Sequence, residues 1–563
     1  MPILATGVGG ANPVEITVQA DKPEDAICAN DLNRLKALIS GIGWDGVSAD
    51  IEGSLADIGI QYARMINRFK DIKWKNAPST AWVDKDGKLQ FSYDHPAMIA
   101  ASARRSGAGL HLVFAENVPS ALRADNLSPK PHEAVPRHNE YADFVANAIH
   151  SLALSVSDQR ETIYIEVGNE PDTPGYWYGN LTYTGKFDRY MQAYKTVVEG
   201  VRRYEAAHSA AKGGARIRVG GPAATAYSFM LHVGDWGSQP APSFNWVHRF
   251  ISTCARENIR MDYVSYHAYA NWHPVTASVG YRSFPNLTRT LDLIRLWRDV
   301  LLPEAEILVT EWGMDSTRNG AGARQNFTHV GAAQSMAMLN IMLEAGVNRA
   351  IYLMARVPPL TDDCEWPAFF TQRGEAAPVW HLFGWIHQMQ GRRVRVGQPS
   401  LGVVPDMTTP GIFAVANAPS GSGSILIWNT RWFLNPDDRN AEGWSDAREI
   451  DLRLTLDGMS APVEFSTASL DASTCPPLAI KPISKAELGN INRGERLVPR
   501  PEIMRTQPMN SSSVSGHTLA LRLPKESVVL VKWESNTPVS TDDKTKISIP
   551  DEQKQGGTHL GRM

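Results

Sequence analysis

Two carboxylic acids in this chain stand at the ends of strand-like runs, where a side chain can face solvent and substrate together. Glu170 lies in IYIEVGNEPDTP, where the apolar run Ile163 to Val167 stops at Gly168, Asn169, Glu170 and Pro171. Pro171 lacks a backbone donor and biases the residue before it toward extended backbone, so Glu170 ends a strand instead of entering a helix. Glu311 follows the run Glu306 to Thr310 and precedes Trp312 and Gly313. Hydrolysis of a glycosidic bond with retention needs such a pair. One carboxyl keeps a proton for the leaving oxygen and the other is ionised to attack the anomeric carbon, with the two about 5 to 5.5 Å apart. Cationic and hydrogen-bond-donating neighbours keep the attacking group charged, and a drier site raises the pKa of the acid. Arg64 in the run Tyr62 to Ile66, Asn169, and His267 and Tyr269 after the run Met261 to Tyr266 are available for those roles.

Taken singly, each motif has a plainer reading. Asn-Glu-Pro is more often a surface turn, a histidine at a strand end more often a hydrogen-bonded structural residue, and a lone arginine a salt-bridge partner. Their joint placement at strand ends, with the two glutamates about three βα units apart, is what points to a site. Tyr176, Trp177 and Tyr178 follow Glu170 closely, and ring faces of this kind stack on the C–H faces of sugars. Trp312, with Trp366 and Trp380, is a further candidate ring for a sugar platform. Arg282, Arg318, Arg324 and Arg356 would suit an anionic sugar.

The elements that must position these residues are legible as alternation. From about residue 50 to 390, β-branched runs alternate with longer helical segments, the pattern of βα units around a parallel sheet. The expected strands are Val14 to Ala20, Gln61 to Ile66, Leu110 to Ala115, Thr162 to Val167, Arg216 to Gly220, Met261 to Tyr266, Glu306 to Thr310 and Ala350 to Met354. Eight strands predict a (β/α)8 TIM barrel over residues 1–395, with the site at the C-terminal strand ends. Beyond about residue 395, short apolar runs separated by Gly, Ser, Pro and Asn predict an antiparallel β-sandwich over 396–534. The polar stretch 535–563 reads as a disordered tail.

Composition excludes several classes. The formal net charge of −3 supplies no basic field for nucleic acid and no polybasic surface for a membrane. No apolar run reaches the length of a membrane span. The four cysteines form no CxxC pair, and no HExxH, Gly-x-Ser-x-Gly, EF-hand or nucleotide loop appears, so no metal and no cofactor is expected. An oligosaccharide or polysaccharide is the expected partner, and the oligomeric state is not legible. Such a substrate argues for a secreted or periplasmic protein. The opening MPILATGVGGANP does not read as a signal peptide, which keeps the cytoplasm as the alternative.

The chain resembles the clan A glycoside hydrolases, and within them family 39, the β-xylosidase and α-L-iduronidase group. The resemblance rests on IQYARMIN, LHLVFAENVPSAL, YIEVGNEPD, RIRVGGPA, MDYVSYHAYA and ILVTEWG as strands 2 to 7, and spans most of residues 60 to 360. It implies Glu170 as acid/base, Glu311 as nucleophile and Asn169 as a partner of the sugar 2-hydroxyl. It also implies Arg64, His267 and Tyr269 as supports of the nucleophile and the −1 sugar. Gly168 stands where that family commonly has Trp, and Leu353 to Arg356 lack an aromatic platform residue. An exo-acting β-xylosidase-like enzyme is the expectation. An endo-acting hydrolase of galactan (agarase- or porphyranase-like) and a non-catalytic carbohydrate-binding protein are the alternatives.

Overall fold

A computed structural model describes residues 13–23, 30–44, 49–66, 68–69, 79–124, 136–153, 162–173, 183–208, 214–225, 228, 245–269, 284–316, 321–358, 364–397, 410–417, 421–430, 449–459, 462–475, 510–512 and 517–535. Eight parallel strands close into a barrel: β1 (Gly41–Gly43), β2 (Tyr62–Met65), β3 (Gly109–Phe114), β4 (Thr162–Val167), β5 (Arg216–Ala224), β6 (Tyr263–Tyr269), β7 (Glu306–Gly313) and β8 (Arg349–Tyr352). They run in chain order, and β8 closes on β1. The long helices His138–Ala153, Tyr183–His208 and Phe284–Leu301 follow the apolar periodicity of the sequence. No helix among the described residues is long and apolar enough to cross a membrane.

The fold is a TIM barrel with a β-sandwich, and its strand inventory corrects the sequence reading at the first barrel strand. Val14–Pro23 is not a barrel strand. It joins the sheet of the second domain, pairing antiparallel with Arg392–Gly397 and parallel with Ile450–Asp457. The second domain is therefore mixed at that one pair and takes its strands from both ends of the chain, so 1–395 is not all barrel. The true first barrel strand is Gly41-Ile42-Gly43, too short and too glycine-rich to read as a strand. Its glycines are steric: a Cβ at Gly43 would lie 1.8 Å from the Leu353 carbonyl oxygen.

Period-two alternation in the sandwich serves two cores at once. Ile412 and Ala414, Ile425 and Ile427, and Val529 and Val531 point into the sandwich interior with Leu452, Leu454 and Phe465. Their neighbours Phe413, Val415, Leu426, Trp428, Val528 and Leu530 belong to the barrel's core. The helix His329–Glu344 is buried over most of its length, which explains why its sequence is apolar on nearly every side. Cys254, Cys364 and Cys475 are buried free thiols. The expected tail beyond residue 535 lies outside the described residues.

Candidate active site

Strand register sets the site before any side chain is considered. Glu311 on β7 pairs with His267 on β6, and Gly313 pairs with Tyr269. Arg64 on β2 pairs with Gly43 on one side and His111 of β3 on the other. Side chains two residues apart on a strand stack inward in successive layers. Tyr62, Tyr164, Tyr263 and Leu308 pack together in one such layer, and Arg64 and Glu166 stand two residues further along β2 and β4.

Arg64 is the hub, and it is almost wholly buried. Its Nε donates to Glu166 Oε2 at 2.6 Å, its Nη1 to Glu311 Oε1 at 2.6 Å, and its Nη2 to Asn169 Oδ1 at 2.9 Å. A guanidinium can only donate, so the amide of Asn169 must turn its oxygen toward Arg64. Glu311 receives a second bond from the Tyr269 hydroxyl, 2.8 Å from Oε2. Burial by itself would raise the Glu311 carboxyl. The charges of His267 and Arg64, with the Tyr269 bond, outweigh it and hold Glu311 below the ordinary carboxylate value. Burial, followed by the Glu311 charge, pushes the Tyr269 phenol far up, so it remains a donor.

Glu170 occupies a strained position. The chain leaves β4 through Gly168 at φ 79° and places Glu170 itself at φ 51°, a left-handed conformation uncommon for a residue with a side chain and not the extended backbone expected before Pro171. Its N–H donates to the Ala223 carbonyl at 3.0 Å, and Ala223 at the end of β5 is also left-handed. Asp172 secures the loop. Buried in the turn after Glu170, it accepts from the Thr225 N–H and hydroxyl at 3.0 Å and from the Ser228 hydroxyl at 2.9 Å. Burial pushes its carboxyl up to about 6 despite those bonds.

His267 bridges the two glutamates. Its Nδ1 lies 2.9 Å from Glu170 Oε1 and 3.5 Å from Glu311 Oε2. Burial opposes its charged form, but Glu311 and Glu170 outweigh burial and raise its pKa above the ordinary 6.5. One ligand-type atom each from Glu170, His267 and Glu311 lies within 4.8 Å of the other two, so the two carboxylates are close enough to act on one bond. That spacing would also suit a cation by distance alone. The donor set does not fit one: both oxygens of Glu311 are already engaged by Arg64 and Tyr269, and the guanidinium charge 2.6 Å away would repel a second cation.

The structure thus brings together Arg64, Asn169, Glu170, His267, Tyr269 and Glu311. It does not bring Trp312 to the mouth. Trp312 is fully buried, its ring stacked on Phe383 and edge-on to Tyr352, because alternation on β7 turns it outward into the helix layer when Glu311 turns inward. Trp177 and Tyr178, with Tyr176, Arg282 and Arg318, lie outside the described residues. Arg324 pairs with Glu365, and Arg356 is bound to the Gln372 carbonyl. Glu166, His111 and Asp172 were missed in the sequence. A carboxylate inside the apolar run YIEV was the available signal for the first of these.

No family model and no curated protein matches the chain. Solved structures do. A monomeric beta-xylosidase from Caulobacter crescentus CB15 superposes with a TM-score of 0.65 at 16% identity, over 93% of this chain and 100% of that one. The GH39 enzyme from Xanthomonas axonopodis pv. citri gives 0.64 at 14%, over 93% and 98%. The fold is the one these glycoside hydrolases have. A bacterial orthologue of human α-L-iduronidase gives 0.56 at 12%, over 93% of this chain and 84% of that one.

Proposed function

We propose that the protein is a retaining glycoside hydrolase acting by double displacement. The observation that carries the reading is the unequal treatment of two adjacent glutamates. Glu311 is buried, doubly bonded by Arg64 and Tyr269 and kept ionised, as a nucleophile must be. Glu170 is more exposed, with 27% of its side chain accessible, and its carboxyl is hydrogen-bonded to the His267 ring and not to Arg64. Glu311 attacks the anomeric carbon while Glu170 gives its proton to the leaving oxygen. Glu170 then takes a proton from the water that releases the sugar from Glu311. Asn169, its amide oxygen turned to Arg64, is the residue assigned to the sugar 2-hydroxyl.

His267 has a definite part in this scheme. Its Nδ1 stands 2.9 Å from Glu170 Oε1, a hydrogen bond that orients the Glu170 carboxyl for proton transfer to the leaving oxygen. The fold similarity to a beta-xylosidase makes a β-xyloside the first substrate to try. A panel of nitrophenyl xyloside, galactoside, glucoside, arabinoside and iduronide, with xylan, agar and porphyran, tests the activity. NMR of the first-formed product reads the anomeric configuration: retention is expected, and inversion would rule out Glu311 as a nucleophile. Glu311→Ala should lose at least about a thousandfold in kcat, with azide restoring turnover as a glycosyl azide of inverted configuration.

A further inference from the structure

Glu166 is a fully buried carboxylate in a place the proposed mechanism does not need it. It points into the barrel from β4, one inward layer below Asn169 and Glu170, and shares Arg64 with Glu311. TIM-barrel interiors are usually filled by branched apolar side chains, and a buried ion carries a large desolvation cost until it is compensated. Compensation here is incomplete. Arg64 Nε serves Oε2 at 2.6 Å and the His111 ring lies 3.6 Å from the same oxygen, while no donor among the described residues reaches Oε1. An apolar residue would fill the space more cheaply, so the charge itself calls for a role.

We propose that Glu166 sets the nucleophilic strength of Glu311 by dividing the charge of Arg64 with it, a reading that rests on Glu311 being the nucleophile. A carboxylate holding a whole guanidinium to itself is stable and correspondingly unreactive. Arg64 is bonded on Nε by Glu166 and on Nη1 by Glu311 at the same 2.6 Å, so neither carboxylate has it alone. Arg64 and His267 are the cationic groups facing the three carboxylates Glu166, Glu311 and Glu170, while burial lowers the pKa of His111. The groups facing Glu311 are Arg64, His267, Tyr269 and Glu170. Those facing Glu166 are Arg64, His111, His267, Tyr190 and Tyr263. Glu166 is a positioning residue in this scheme: it touches no reacting atom and acts through Arg64.

The test is carboxyl titration by NMR on the full-length protein labelled with 13C at glutamate, with Glu166 and Glu311 assigned from Glu166→Gln and Glu311→Gln. In the wild type, Glu311 and Glu166 should titrate as a coupled pair, each carboxyl resonance responding to the protonation of the other. In Glu166→Gln the Glu311 titration should move down by roughly one pH unit, because a neighbouring negative charge is gone and Arg64 is undivided. The acid limb of kcat/KM should move down with it, and kcat should fall roughly tenfold as the nucleophile weakens. Glu166→Asp keeps the charge and should restore most of the wild-type titration. A Glu311 titration that stays put or rises in Glu166→Gln overturns the proposal, as would a kcat loss without any shift, which marks a merely structural residue. If Glu166→Gln does not fold, the wild type decides: Glu166 and Glu311 titrating as two independent single steps, with no response of either to the other, also overturns it. Should the wild type cleave no glycoside, the proposed function falls, while the titrations still decide how Arg64 is shared.

Discussion

At the scale of single residues, the site is a set of charges arranged so that two identical side chains differ. The Tyr269 hydroxyl supplies one of the two bonds to Glu311. Tyr269→Phe removes that donor from a buried carboxylate, so Glu311 should titrate higher and kcat should fall by about ten- to a hundredfold. Kinetics at several pH values check this through an acid limb displaced upward, opposite in sign to the Glu166→Gln shift. His267 makes a separate prediction about stability. Its folded pKa lies above 6.5, so its contribution is complete below pH 6.5 and lost as pH rises past the folded value. Thermal unfolding followed from pH 5 to 9 should show the wild type losing stability in that window. His267→Gln should be flatter there. An unchanged slope in the variant would remove His267 as the cause.

At the scale of elements, strand ends and the loops after them carry the precision. The Glu170 loop adopts two left-handed residues within three positions and is tied to the end of β5 by Asp172. Asp172→Ala removes the carboxylate to which Thr225 and Ser228 donate and loosens the loop. Stability should fall by about 2–3 kcal/mol, and kcat/KM should fall more than the stability loss explains once assays are run well below the midpoint. Urea denaturation alongside kinetics separates the two. Gly43 is the corresponding point on β1. Gly43→Ala forces a methyl into the Leu353 carbonyl, and the barrel seam between β1 and the chain after β8 should lose roughly 3 kcal/mol.

At the scale of the whole molecule, barrel and sandwich are built as one packed body. Leu530 and Val528 pack with the barrel core, whereas Val529 and Val531 on the same strand pack inside the sandwich. Leu530→Ala should therefore cost about 2–4 kcal/mol and shift activity loss and β-sheet unfolding together. Two separated transitions, with activity surviving the first, would show instead that the domains unfold independently.

Some of this was legible in the residues themselves. Runs such as IYIEV and EILVT announce strands by local composition, and a carboxylate at a strand end is a local fact. The pairing of Glu170 with Glu311 could be anticipated because barrel topology sends successive strand ends to one face. Partners chosen across the fold were not legible. Val14–Pro23 reads as a strand, yet nothing near it says that it pairs with Ile450–Asp457 and not with the barrel. Gly41-Ile42-Gly43 is a strand only because β2 and β8 flank it. Trp312 reads as a sugar platform beside Glu311 until alternation turns it outward. Local sequence determined which residue types stand at the strand ends and hence what chemistry is available. Tertiary structure alone decided that one arginine serves two buried carboxylates, because β2, β4 and β7 meet only when the barrel closes.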